Sequence, residues 1–308
     1  MERLTRAALQ HFLFEVPALG KILLYLVVVA LLGALLAPPI YWWLHETLEY
    51  PFYRYFTRTT QVAAFVLLGP LLLWLGIRST REFGLEKNPL APRDVLVGLL
   101  LAFAPGALLG AAYLALDVYR IKQELLLLVL LRIAVTAGTV AVVEEFLFRG
   151  VLLGLATRAF GRWPAALGVS FLFATVHFLR PSKQADHGVE WWSGLAQIPR
   201  VFDAAPPPSL WIAGFLSIFA AGMILAFAAL RTRSVWLSIG LHAGWIFCQQ
   251  ALQWLAKYRV RPPEGLLPWI GPNVVSGAVP TGVVPLSVLL LTGVGVWFYL
   301  RKCSRGLA

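Results

Sequence analysis

Charge is scarce in this chain. Only 13% of its 308 residues are Asp, Glu, Lys or Arg, against about 25% in an ordinary soluble domain. So few ionised groups cannot cover a water-facing surface of this size, which argues against a soluble enzyme. Cysteine is nearly absent: Cys248 and Cys303 are the only two, and they form neither a metal-binding pair nor a disulfide framework. No internal repeat is evident, which weighs against an inverted-repeat transporter. Acidic residues are the rarer charge, 15 against 26 Lys and Arg, for a formal net charge of +11. The basic residues do not interleave with aromatics on a polar domain, so no nucleic-acid partner is expected. They lie mostly between apolar runs, where they face headgroups and set membrane orientation.

What is present is apolar. Hydrophobic residues make up 59% of the chain and the mean hydropathy is +0.75. They gather into runs near 21–44, 59–78, 94–115, 125–157, 164–180, 210–230, 235–256 and 283–300, most of them close to the roughly 20 residues that cross a bilayer. The expected fold is therefore all-α: a polytopic membrane bundle of about eight transmembrane helices over 21–308, preceded by a short amphipathic or interfacial segment at 1–20. The fourth run is too long for a straight span and is expected to tilt, kink or project. The stretch 181–209 holds Trp191, Trp192 and three consecutive prolines, Pro206, Pro207 and Pro208, and reads as an interfacial loop. The lipid bilayer is the first partner. The absence of a soluble domain between the runs fits an integral, multi-pass protein of a prokaryotic plasma (inner) membrane.

Against this background a few ionisable residues stand out, because a charge inside a membrane helix costs roughly 2.5–3.5 kcal/mol on insertion scales and usually marks function. The fourth run contains Glu144, Glu145 and Arg149. Glu145 and Arg149 are four apart, share a helix face and can pair. Glu144 points about 100° away and has no partner in its own helix, which suits a general base or acid. The next run carries Phe173 and His177, again one turn apart, and the seventh carries His242. If the turns near 158–163 and 231–234 lie on one side of the membrane, Glu144, His177 and His242 are about 20, 21 and 12 Å deep at 1.5 Å per residue. All three can converge in the interior. His11, His45 and His187 fall in a terminus or loops and carry no motif.

The ordered set Glu-Glu-x-x-x-Arg (Glu144, Glu145, Arg149), Phe-x-x-x-His (Phe173, His177) and His-x-x-x (His242) resembles the CPBP family. That family groups type II CAAX prenyl endopeptidases with bacteriocin-processing and self-immunity membrane proteins. The resemblance covers about 125–256 as a catalytic core. It implies a glutamate-dependent intramembrane endopeptidase acting on membrane proteins or lipidated peptides. In it, Glu144 and His177 activate a water and His242 holds the oxyanion, while Glu145, Arg149 and Phe173 support them. The family's third motif ends in Asn or Asp, where this chain has Ile246. Isoleucine cannot donate a hydrogen bond. Trp245, Gln249 and Ser238 are the nearby side chains that could substitute.

No cofactor is expected. Zinc is a lower-ranked alternative, since Glu and His are zinc ligands but no His-Glu-x-x-His run is present. Two other functions compete with the protease: a non-catalytic adaptor or immunity-type protein on the same fold, which would tolerate loss of Glu144 or His177, and a proton-coupled transporter, which could use buried Glu and His as a relay.

Overall fold

A computed structural model describes residues 18–79, 81, 86–122, 124, 126–179, 188–201, 208–258 and 283–305. Nearly all of the expected segment 1–20, together with His11, His187 and parts of the 181–209 stretch, lies outside them. The described residues form nine helices: α1 (Ala18–Leu48), α2 (Phe52–Trp74), α3 (Ala91–Ala115), α4 (Leu127–Phe160), α5 (Arg162–Phe178), α6 (Ser193–Arg200), α7 (Pro208–Thr232), α8 (Trp236–Leu255) and α9 (Val283–Arg305). A two-stranded antiparallel pair, β1 (Tyr119–Ile121) and β2 (Ala256–Tyr258), joins the segments that leave α3 and α8, with Tyr119 opposite Tyr258. The chain is thus an all-α membrane bundle with one short β ribbon.

Each of the eight apolar runs forms a helix, but among the described residues only six helices are long and apolar enough to cross a membrane: α1, α2, α3, α4, α7 and α9. The other two, α5 and α8, are the helices that carry His177 and His242. The first has 17 residues, and the second is diluted by His242, Gln249, Gln250 and Gln253. Most of α8 is buried. A helix wrapped by protein satisfies its polar groups there and does not need a lipid-facing surface. That is why its apolar run is legible in the sequence although it misses the composition of a membrane span.

The chain divides into two compact units. In the first, residues 1–79 and 179–204, α1 packs along α2 and carries α6. A Cβ on Gly194 of α6 would run into the backbone of Ala34 on α1, so glycine is what lets the two helices touch. Thr59 ties α2 to α1 through the Gly33 carbonyl (2.8 Å). Trp191 and Trp192, just before α6, are exposed.

The second unit, residues 80–178 and 205–308, contains the candidate site. Its core is built from Phe148, Leu153, Phe173, Ile218, Leu225, Leu237, Leu241 and Leu289, with many alanines between them. Two features set the position of α8. Along one face it lies backbone to backbone on α3: a Cβ on Gly98 would sit 2.5 Å from the Leu237 carbonyl oxygen, one on Gly244 2.7 Å from that of Leu99, and one on Gly240 would collide with Val95. Small residues at four-residue spacing are what allow membrane helices to approach this closely. At the start of α8, Asn88 donates to Asp94 (2.7 Å) and Ser234 (3.3 Å). Tyr299 of α9 also donates to Asp94, so this polar node holds the ends of three helices.

Candidate active site

Three helices of the second unit supply the polar centre. Helix α4 is α-helical up to Glu145, then π-helical over Phe146–Leu152, then α-helical again to Phe160. Such π-turns recur at functional sites. This one carries Arg149, and the two glutamates sit at its entrance. The helix ends at Gly161, whose φ of 81° suits a residue without a Cβ. That turn sends α5 back alongside α4, bringing Phe173 and His177 to the glutamates.

Glu145 and Arg149 are fully buried and paired at 3.1 Å. The guanidinium also reaches the Gly222 carbonyl of α7 (3.4 Å) and lies over the Phe173 ring, 4.2 Å from its centroid. Phe173 is therefore the spacer of the centre. Its ring meets Phe148 edge-on at 5.1 Å, His177 at 4.4 Å and His242 at 5.7 Å.

The two histidines are held in the same way. The Nδ1 of His177 is 2.7 Å from the Phe173 carbonyl oxygen, which can only accept, so Nδ1 carries the proton. The Nδ1 of His242 is 2.8 Å from Glu145 Oε1, which already accepts from Arg149, so here too Nδ1 donates. In the neutral rings both Nε2 atoms then present a lone pair. Both face the same atom: Glu144 Oε2 lies 4.0 Å from His177 Nε2 and 3.9 Å from His242 Nε2. The carboxylate is 26% exposed, while that Oε2 is buried and has no direct hydrogen bond.

A gap of 4 Å is too long for a direct hydrogen bond and suits a bridging water that donates to two of these acceptors at about 2.8 Å. A cavity of about 20 Å³ adjoins the histidines, lined by Phe173, His177 and His242 together with Trp245, Ile246 and Leu225. That is room for about one water. Glu144, His177 and His242 are also the side chains that could hold a metal. Ligands of a tetrahedral zinc at about 2.1 Å lie about 3.4 Å apart, closer than the 3.9 and 4.0 Å found here. Among the described residues no group of three or more His, Cys, Asp or Glu is arranged to hold a metal ion.

The three side chains considered in place of the family Asn or Asp have different surroundings. Ser238 donates to the Leu225 carbonyl (3.0 Å) and is committed there. Gln249 is buried on α8 but does not line the small cavity. Trp245 does line it, and its buried indole Nε1 has no hydrogen-bond partner. Sequence reasoning paired Glu145 with Arg149 but missed its second bond, to His242. Nothing local could have shown it, because the two residues are 97 positions apart.

Residues 124–248 match the family model described as type II CAAX prenyl endopeptidase, Rce1-like. This segment holds Glu144, Glu145, Arg149, Phe173, His177 and His242, and the match is in keeping with the CPBP resemblance. The chain is an integral, multi-pass membrane protein, and its residues 124–248 are similar to that family. Neither a curated protein nor a solved structure matches it.

Proposed function

We propose that the chain is an intramembrane endopeptidase in which Glu144 and His177 activate a water for attack on a peptide carbonyl of a membrane-associated or lipidated substrate. The observation that carries this reading is the convergence of His177 Nε2 and His242 Nε2 on Glu144 Oε2 across a gap of about one water. The water gives a proton to Glu144 as its oxygen bonds the carbonyl carbon, and a tetrahedral oxyanion forms. The proton then passes to the amide nitrogen, the C–N bond breaks, and the products leave as acid and amine. His177 steers the water through Nε2, its ring fixed by the Phe173 carbonyl. Phe173 and Arg149 act by positioning.

The oxyanion needs donors. Removing one such donor costs roughly 2.7–4 kcal/mol in other hydrolases. Ile246 lines the cavity and offers none. The Trp245 indole N–H is buried, unpartnered and on the same wall, and we assign it the role that Asn or Asp has in the family motif. His242 contributes a second N–H when its Nε2 is protonated, with Glu145 beneath its Nδ1 to balance the charge. No metal is needed for any of these steps. The donor spacing favours water over zinc between Glu144 and the histidines.

The test compares wild type with Glu144→Ala on a panel of fluorogenic and lipidated peptides, each with and without a chelator. Cleavage that disappears in the variant and survives chelation is the expected result. Cleavage lost on chelation would transfer the reading to a zinc protease. Cleavage retained by the folded variant would leave a different catalytic group, or an adaptor fold with a contaminating protease.

A further inference from the structure

A second cavity in this unit shares no lining residue with the one beside the histidines. It measures about 630 Å³ and opens where α4 ends, α5 begins and α7 ends. Its wall carries Arg81, Lys87, Arg158, Arg162 and Arg233, and Arg149 lies at its inner limit. The one carboxylate on this wall, Glu86, is taken by Arg233 at 2.8 Å. Arg149 is matched by Glu145. Arg81, Lys87, Arg158 and Arg162 have no ion-pair partner among the described residues. Four unmatched cations around one cavity repel one another, and an anion between them relieves that repulsion.

Two further observations indicate a ligand. Arg149 is 2% exposed, and its Nε is buried without a partner although it is a good donor. The Thr157 hydroxyl, on the same wall, is also buried and unpartnered. Buried donors rarely go unsatisfied. Beside them the wall turns apolar at Leu153, Ala229 and Leu230.

We propose that this cavity binds a phosphate group. Guanidinium groups match phosphate oxygens in a bidentate manner, and a phosphate offers several acceptors to several donors at once. The position at the ends of two membrane-spanning helices, with apolar wall beside the cations, fits the headgroup of an anionic phospholipid. Basic pockets between membrane helices recognise such headgroups. A free phosphate has the same chemistry without the acyl chains. The site is separate from the proposed hydrolytic water and does not depend on that reading.

The experiment uses full-length protein in detergent, monitored by native mass spectrometry and thermal melting. Phosphatidylglycerol, phosphatidylcholine and inorganic phosphate are the three probes. Wild type is expected to retain phosphatidylglycerol at least tenfold better than phosphatidylcholine. The exposed pair Arg158→Gln with Arg162→Gln is expected to lose that preference by roughly tenfold to thirtyfold. Lys87→Gln is a second, independent variant expected to weaken it less. The control pair Arg58→Gln with Arg120→Gln removes the same charge elsewhere and is expected to keep the preference. Stabilisation by inorganic phosphate as strong as by the lipid, and lost in the same variants, would assign the site to a free phosphate. Equal retention of both lipids with no response to phosphate would overturn the proposal. So would an unchanged preference in the Arg158/Arg162 variant, or an equal loss in the control pair.

Discussion

Helix α8 has two faces that solve opposite problems. On one, Gly240 and Gly244 meet Gly98 and Ala102 of α3 so closely that a Cβ added at any of the three glycines would collide with α3 or α8. On the other, Ser238, His242, Trp245 and Ile246 meet α4, α5 and α7, and charged side chains fill the space. The first face is held by close packing alone and is intolerant of volume. The second is held by a chain of hydrogen bonds, Arg149 to Glu145 to His242, and is intolerant of a missing partner. The rigidity of the glycine seam is what allows the polar face to keep two imidazole nitrogens aimed at one carboxylate oxygen. A site made of long polar side chains needs a helix that does not shift.

Enlarging the seam should do the most harm. In Gly240→Leu the new side chain has only the Val95 backbone in front of it, so α3 and α8 must separate. The expected outcome is loss of folded, monodisperse protein on gel filtration in detergent. If Gly240→Leu behaves as wild type, the seam is not what fixes α8. Glu144→Gln tests the other face without volume change. Peptide cleavage should fall by about 10³-fold, within the usual range for a general base. The melting temperature should stay near that of wild type, because Glu144 Oε2 has no hydrogen bond to lose. A variant that melts early would instead mark Glu144 as structural.

Glu145→Gln should combine both kinds of damage. It leaves the buried Arg149 without a counter-charge, which typically destabilises by about 3–5 kcal/mol, and it removes the anchor of His242. A marked drop in thermal stability together with lost cleavage is expected. Replacing Glu145 and Arg149 together by methionine should recover much of the stability and none of the activity. Stability recovered with activity intact would show that Glu145 does not position His242.

The difference between the two faces also explains what the sequence could reveal. The Glu145–Arg149 pair is four residues apart on one helix, so periodicity shows it. The eight helices follow from apolar runs, and the depth of Glu144, His177 and His242 follows from counting residues. The contact from Glu145 to His242 joins distant helices and has no local signature. The π-turn of α4 is invisible to a pattern that assumes 3.6 residues per turn. The membrane criterion fails for α5 because it has only 17 residues, and for α8 because its polar side chains are satisfied inside the protein. The seam was present as Gly240-x-x-x-Gly244, but only the position of Gly98 opposite it gives that spacing meaning.

Among the cavity-lining groups, Trp245→Phe keeps the ring and removes the N–H. If the indole holds the oxyanion, kcat should fall by about 10²-fold with KM nearly unchanged, the pattern of a donor that acts in the transition state. Ile246→Asn in the same background should restore part of the loss, since it returns a donor one position along the same wall. A rise in KM alone, with kcat intact, would make Trp245 a contact for bound substrate.

Ser238→Ala should have the smallest effect and sharpens the comparison from the same face of α8. Its hydroxyl donates to the Leu225 carbonyl at 3.0 Å and both residues are buried. Removing it loses one neutral hydrogen bond, worth about 1 kcal/mol, and leaves a small void. Cleavage should be within about twofold of wild type, because a donor already given to the α7 backbone is not available to an oxyanion. A melting temperature lowered by a few degrees at full activity would place Ser238 with the glycine seam as a helix-packing contact. A 10²-fold loss of kcat with unchanged melting would mean that the Ser238 hydroxyl turns into the cavity during catalysis, and the oxyanion role would pass from Trp245 to Ser238.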